Sequence, residues 1–271
     1  MTSINTNIGA LVALRNLNTT NAGLERTQDR VSTGYKVIGP KDDASSFSIA
    51  QGLRADLKAF DAVQQSLSSG RGVVAAAIAG ATSVSDLLAD IKKKVIESSN
   101  PANTATQQSI LAADFTSMLT QLNTFVSNAI YNGRNLISSA SASVSITSTI
   151  TGGQLTITNA SALGGVSTAL SGGVASTAAA LSLLTAISAQ ELVVGTALGT
   201  LGANSKNIEF LSTFSKTLSD AVTEGLGSLV DADLAKESAK LQALQVKQQL
   251  GVQSLSIANQ RPQVLLSLFG G

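Results

Sequence analysis

Apolar residues in the first forty positions fall on a seven-residue beat. Leu17, Leu24, Val31 and Ile38 recur every seven residues, and Ile4, Ile8, Leu11 and Leu14 form an earlier stripe at steps of four and three. Such spacing lays a single apolar seam along a helix, as in a coiled coil. Polar residues fill the intervals (Asn16, Asn18, Asn21, Arg26, Asp29, Arg30), so the seam is narrow. Gly39-Pro40 predicts an interruption, because proline lacks an amide donor and clashes with the preceding turn.

A second helix is predicted from about Asp42 to Ser98. Ile49, Leu53, Leu57, Phe60, Val63 and Leu67 step by three and four, and Val74, Ile78 and Leu88 continue the face. At 1.5 Å per residue, about 55 residues make a rod of roughly 80 Å, which needs a partner along its length. Asn100-Pro101 ends it. A third helix from about Ala105 to Ile130 carries Ile110, Phe115, Leu119, Leu122 and Val126 on one face, and Asn132-Gly133 supplies a tight turn.

The pattern then changes period. Val144, Ile146 and Thr149 to Thr151 precede Gly152-Gly153, and Leu155, Ile157 and Asn159 alternate after it, which predicts a hairpin over 143–159. The Ser/Gly/Ala run of 160–176 reads as a loop or weak strand. Helix resumes near Thr177 and runs to about Leu226, with Leu211, Phe214, Leu218 and Val222 on its face and Gly225 and Gly227 loosening its end. In the last segment Leu234, Leu241 and Leu255 keep heptad phase, with Leu244, Gly251 and Ala258 offset by three.

The fold class predicted is mainly α: a long antiparallel helical coiled-coil bundle formed by the two chain ends, with a small β-hairpin insertion in the middle. The expected division pairs residues 1–40 with 230–271, pairs 41–138 with 178–229, and leaves 139–177 as a short insertion.

Composition narrows the function. Hydrophobic residues make up 44% of the 271, yet aromatics only 3%, with no Trp. Aromatics dominate compact cores and pockets, so their scarcity favours thin, elongated packing. The balance of 18 basic against 17 acidic residues leaves no electrostatic footprint for nucleic acid. The chain has neither Cys nor His, which removes disulfides, thiolate nucleophiles, the Ser-His-Asp triad and the commonest metal ligands. No cofactor is expected. A carboxylate- or Lys-based enzyme survives this count but lacks the aromatics to build a pocket. Mean hydropathy is +0.25, but the most apolar stretches, 72–81 and 178–201, are respectively too short and too interrupted for a spanning helix, so no membrane insertion is expected. The first twenty residues lack the basic start, apolar core and small-residue cleavage site of a Sec signal.

Some short motifs invite sharper readings. Gly70-Arg71-Gly72-Val73-Val74-Ala75 matches a dinucleotide fingerprint, but no buried strand precedes it, and close packing against a helix explains its glycines better. Lys92-Lys93-Lys94 reads as a solvated helix face. The pairs Asp42-Asp43 and Asp231-Asp233 sit at predicted helix starts, where capping accounts for them.

Both chain ends resemble bacterial flagellin. Ile4-Asn5-Thr6-Asn7 is similar to that family's opening, and Arg30-Val31-Ser32-Thr33-Gly34-Tyr35-Lys36-Val37 to its RLSSGLRI stretch. Lys41-Asp42-Asp43-Ala44 matches KDDA, Tyr131-Asn132-Gly133 resembles FNG, and Asp231 to Ala235 resembles DADYA. The tail from Ala258 to Leu268 is close to ANQxPQxVLSLL. The likeness covers residues 1–138 and 178–271 and leaves out the middle, where the family varies most.

The resemblance implies a structural subunit, not an enzyme, that polymerises with itself into the flagellar filament, outside the cell. Export through the flagellar type III apparatus, an export chaperone, and the junction and cap proteins of the flagellum are implied with it. The implied assembly interface comprises Ile4, Ile8, Leu11, Leu14, Leu17, Leu24, Val31, Leu234, Leu241, Leu244, Leu255, Leu265 and Leu268. In some members the long helix carries a stretch recognised by an innate immune receptor, built on Arg, Leu and Glu; Asp90 to Ile96 departs from it here. A hook–filament junction protein and a secreted coiled-coil adaptor are the alternatives: the first diverges in the tail motif, and the second keeps heptads without these paired terminal motifs.

Overall fold

Asn7 opens the first helix, its side chain accepting the Ala10 amide at 3.1 Å. The computed structural model describes residues 6–269, with side chains from 6 to 260. Two units can be distinguished, Met1–Ala55 with Ala221–Gly271, and Asp56–Asp220.

In the first unit, helix α1 (Ile8–Thr33) ends at Gly34, whose φ of 75° lets its amide bond back to the Arg30 carbonyl at 2.9 Å. Helix α2 (Ala44–Ser98) starts two residues later than the carboxylate pair suggested. Asp43 is its cap, accepting the Ser45 and Ser46 amides at 3.0 and 3.1 Å. Asp42 instead accepts the Ile38 and Gly39 amides and ties down the preceding loop. Helix α6 (Leu234–Phe269) is capped in the same way by Asp233, which accepts the Lys236 amide at 3.1 Å. The segments joining these helices pair with each other. Tyr35 forms an antiparallel bridge with Asp231, the Lys36 amide donates to Val230 O, and the Ala232 amide donates to Gly34 O. Val37, Ala50 and Val230 form a small core there with Phe47, Leu226 and Leu229.

The second unit rests on two helices with regular heptads. In α2 the buried positions Val63, Leu67, Gly70, Val74, Ala77, Ala81, Val84, Leu88, Ile91 and Val95 alternate steps of four and three. In α5 (Thr177–Val230), Ala180, Leu183, Ile187, Val194, Ala197, Leu201 and Ile208 recur at steps of three, four and seven and join one core with them. Gln64 donates to Ser212 O at 2.8 Å, and the Lys92 ammonium meets Glu191 at 2.9 Å, tying the two helices. Helix α3 (Ala105–Asn128), opened by a capping box between Thr104 and Gln107, adds Phe115, Leu122 and Val126. Ile110, expected on that face, is 58% exposed.

Two small antiparallel ladders follow, β1 (Ile130–Tyr131) with β2 (Arg134–Asn135) and β3 (Val144–Thr147) with β4 (Gln154–Ile157). Asn132 and Gly133 both take positive φ between the first pair, the geometry that sequence favours. The hairpin expected over 143–159 forms, with Val144 facing Ile157 and Ile146 facing Leu155. The segment after them is a loop only in part, at 170–176. Residues 161–165 form a short 3-10 turn that runs into α4 (Val166–Ala169), and Leu163, Val166, Leu170 and Val174 enter the core. Low complexity hid apolar steps of three and four residues that only a packed surface reveals.

Candidate assembly interface

Helices α1 and α6 pack antiparallel along most of their length, and the pairing selects its own seam. Ala10, Ala13, Leu17, Thr20, Leu24, Thr27 and Val31 are shielded on α1, alternating steps of three and four. Glu237, Leu241, Leu244, Gln248, Gly251, Leu255 and Ala258 match them on α6. Asn7 donates to Ala258 O at 2.7 Å, Gln248 donates to Asn21 at 2.9 Å, and Arg30 pairs with Glu237 at 3.2 Å, fixing one register from end to end. Gly251 eases a close approach: a Cβ there would lie 3.2 Å from Leu17 Cδ1, which would have to shift slightly.

The residues expected in one seam therefore divide. Leu17, Leu24, Val31, Leu241, Leu244 and Leu255 lie within the α1–α6 contact. Ile8, Leu11 and Leu14 do not; they remain 63%, 52% and 44% exposed, and the matching α1 positions are Ala10 and Ala13. Leu234, in heptad phase by sequence, is 50% exposed because it opens α6 before the pairing begins. Ile4 and the side chains of Leu265 and Leu268 lie outside the described residues. The heptad count missed a second apolar face on α6. Val246, Leu250 and Ile257 recur at steps of four and seven on the side opposite the seam and are 54%, 57% and 56% exposed. A helix apolar on both sides needs cover on both. That signal was present in the sequence, at positions offset by half a turn from the seam.

The seam itself is thin. Thr27 is its one fully buried residue, and Thr20, Gln248, Gly23 and Gly251 interrupt the leucines. Such a pair covers little apolar area for the chain entropy it must offset.

The other candidate motifs take structural roles. Gly70 and Gly72 sit within α2, where Cβ atoms would lie 2.5 Å from Ile146 Cδ1 and 2.4 Å from the Tyr131 ring. They make room for the hairpins, so the packing they serve is helix against strand. The lysine triplet is less free than a solvated face implies: Lys92 pairs with Glu191, and Lys94 with Glu97 and Asp114. The Glu97 hydrogen bond is the main reason the Lys94 ammonium titrates above its usual range. Hydrogen bonds from the Ser46 side chain and amide, and then from the Ser45 amide, hold the Asp43 carboxyl below its usual range. No cluster of acidic residues able to hold a metal ion occurs among the described residues. Helices α2 and α5 each contain a window long and apolar enough to cross a membrane, of mean hydropathy 1.6 and 1.5.

A coiled-coil pair with a thin inner seam and an apolar outer face leaves apolar surface uncovered within the single chain. Comparison with known proteins identifies the class. The family model for the bacterial flagellin N-terminal helical region matches residues 4–142, and that for the C-terminal helical region matches residues 184–269. Flagellin FljM of Caulobacter vibrioides is 38% identical over 272 residues, covering 99% of each chain. A flagellin of Brucella melitensis is 37% identical over 285 residues, covering all of both. The fold is also that of a protein from Vibrio parahaemolyticus described as flagellar hook-associated, with a TM-score of 0.59 and 15% identity over 70% of this chain and all of the other. The chain belongs to the bacterial flagellin family. It is a structural subunit of the extracellular flagellar filament, and not an enzyme. The unmatched stretch between the family models contains the second hairpin, α4 and the turn before it.

Proposed function

We propose that the α1–α6 pair is the polymerising element of this subunit. Residues 1–40 with 230–271 form the inner layer around the filament channel, 41–138 with 178–229 the outer layer, and 139–177 the displayed insertion. The observation that carries this is the exposure of Ile8, Leu11, Val246, Leu250 and Ile257, on faces that the intramolecular seam leaves uncovered. Neighbouring subunits bury these faces and so supply the area that the thin seam lacks. A contact of this kind that does not close on itself yields a filament instead of a ring.

Because the terminal pair is marginal alone, the chain folds these ends fully only on assembly. That suits passage in an unfolded state through the flagellar type III apparatus. An export chaperone that shields the terminal apolar faces before assembly, and junction and cap proteins that contact them at the filament ends, complete the set of partners.

Deleting residues 1–40 or 230–271 tests the reading. Each truncated chain is expected to stay monomeric and helical by circular dichroism, and to add to no filament seed seen by electron microscopy. Normal filaments from either truncation would place the assembly element elsewhere.

A further inference from the structure

Composition leaves this chain few atoms that an oxidant can attack. It has no Cys, no Trp and no His, and of its two Met, Met1 lies outside the described residues. The large apolar side chains that stand exposed are Ile, Leu, Val, Phe and Tyr, none of which carries sulfur. Met118 is therefore the one thioether among the described residues.

Its place on α3 makes that atom matter. Phe115 and Leu122, one turn to either side on the same face, are 1% and 0% exposed and belong to the core shared with α2 and α5. Met118 packs against that core but is only half-buried. Its flexible, unbranched side chain fills the flank of the seam. The residue thus combines the access that oxidation needs with the apolar contacts that a polar product disturbs.

The middle of α3 depends on those contacts. Its ends are pinned by Gln108, which donates to Val174 O at 2.6 Å, and by Asn135, which donates to Val126 O at 2.7 Å. Between them Ser167 donates to Asn123 at 2.6 Å, and Lys94 meets Asp114 at 3.6 Å. The Asp114 side chain is 53% exposed, and an ion pair so open to water contributes little.

We propose that Met118 is a site of oxidative modification, at which a hydroperoxide converts the thioether to the sulfoxide and so loosens the middle of α3 from the core. A sulfur lone pair attacks one oxygen of the peroxide; an S–O bond forms and the O–O bond breaks. Sulfur gives up two electrons and the departing oxygen takes them, together with the proton from the transferred oxygen. With hydrogen peroxide the leaving group is water. The product carries a strong acceptor oxygen in place of a weakly accepting sulfur. Against Phe115 and Leu122 that oxygen lacks full hydrogen bonding. Methionine sulfoxide reductases reverse the step.

The test treats the full-length folded monomer with dilute hydrogen peroxide at neutral pH, with Met118→Leu, a volume-conserving swap, beside it. Peptide mass spectrometry is expected to find one added oxygen at Met118, gained within tenfold of the rate for free methionine. The parent melting temperature is expected to fall by at least about 4 °C. Met118→Leu is expected to show no such fall, although its Met1 is equally open to the oxidant. Both methionine sulfoxide reductases with a dithiol are expected to restore the parent melt, a readout that holds even if Met118→Leu does not fold. Met118 staying reduced where free methionine is consumed overturns the proposal. So does a sulfoxide at Met118 that leaves the melt unchanged, or a fall in melting temperature that Met118→Leu shares.

Discussion

Leu250→Ser separates the two apolar faces of α6. Leu250 is 57% exposed and lies away from the seam with α1, so the change removes little packing from the single chain. Burying a whole leucine contributes about 1.5–3 kcal/mol; the exposed share of Leu250 then represents about 1–1.7 kcal/mol available to a neighbouring subunit. Serine also brings a hydroxyl that must find a partner or be desolvated, so the expected loss is about 1–2 kcal/mol per subunit added. Each 1.4 kcal/mol is a factor of ten in an equilibrium, which predicts a critical concentration raised about 5- to 30-fold. The assay is seeded growth followed by light scattering and pelleting over a dilution series, with far-ultraviolet circular dichroism of the monomer beside it. Monomer helicity is expected to match that of the parent. An unchanged critical concentration would refute the claim that neighbours cover this face.

Two other predictions concern the monomer. Gly80→Ala and Gly199→Ala are the same change with opposite expected signs. A Cβ at Gly80 would lie 2.6 Å from Ala129 Cβ and 2.9 Å from Ile137 Cδ1, and overpacking of about 1–3 kcal/mol outweighs the helix-propensity gain of about 1 kcal/mol; at Gly199 only the gain remains. Thermal melts should therefore move down for the first and up for the second, and two upward shifts would contradict the close packing of the first hairpin on α2. Asp43→Ala removes the cap of α2 and is expected to lower the melting temperature at pH 7. The folded carboxyl titrates below its usual value of 3.8, so its stabilisation is present above that value and is lost as the pH falls through the lower folded one. The difference between parent and variant should shrink below about pH 3.8 in a pH series of melts, and a gap constant with pH would assign the effect to something other than the charged cap.

The legible part of this fold was its local physics. Asn100-Pro101 and Asn132-Gly133 end a helix and turn the chain because of their backbone preferences, and the structure does so there, whereas α1 ends at Gly34, five residues before the interruption expected at Gly39-Pro40. The hairpin alternation from Val144 to Ile157 left one register open. The stretch from 160 to 176 was misread because Leu163, Val166, Leu170 and Val174 are too sparse among small residues to declare a period. Their burial depends on the surface they meet.

Heptad spacing could state that α1 and α6 carry seams, but it could not say which leucines pair. Phase alone grouped Ile8, Leu11 and Leu14 with Leu17 and Leu24, and grouped Phe214 and Leu218 with Leu211. An apolar residue carries the same signal whether it faces its own chain or a neighbouring one, because the hydrophobic effect is not directional. The sequence by itself determined the long helices, the turns and the family. Tertiary structure decided the division of the apolar surface, since only the antiparallel register of α1 on α6, and the heptads of α2 and α5 on a shared core, show which faces the single chain covers and which remain exposed.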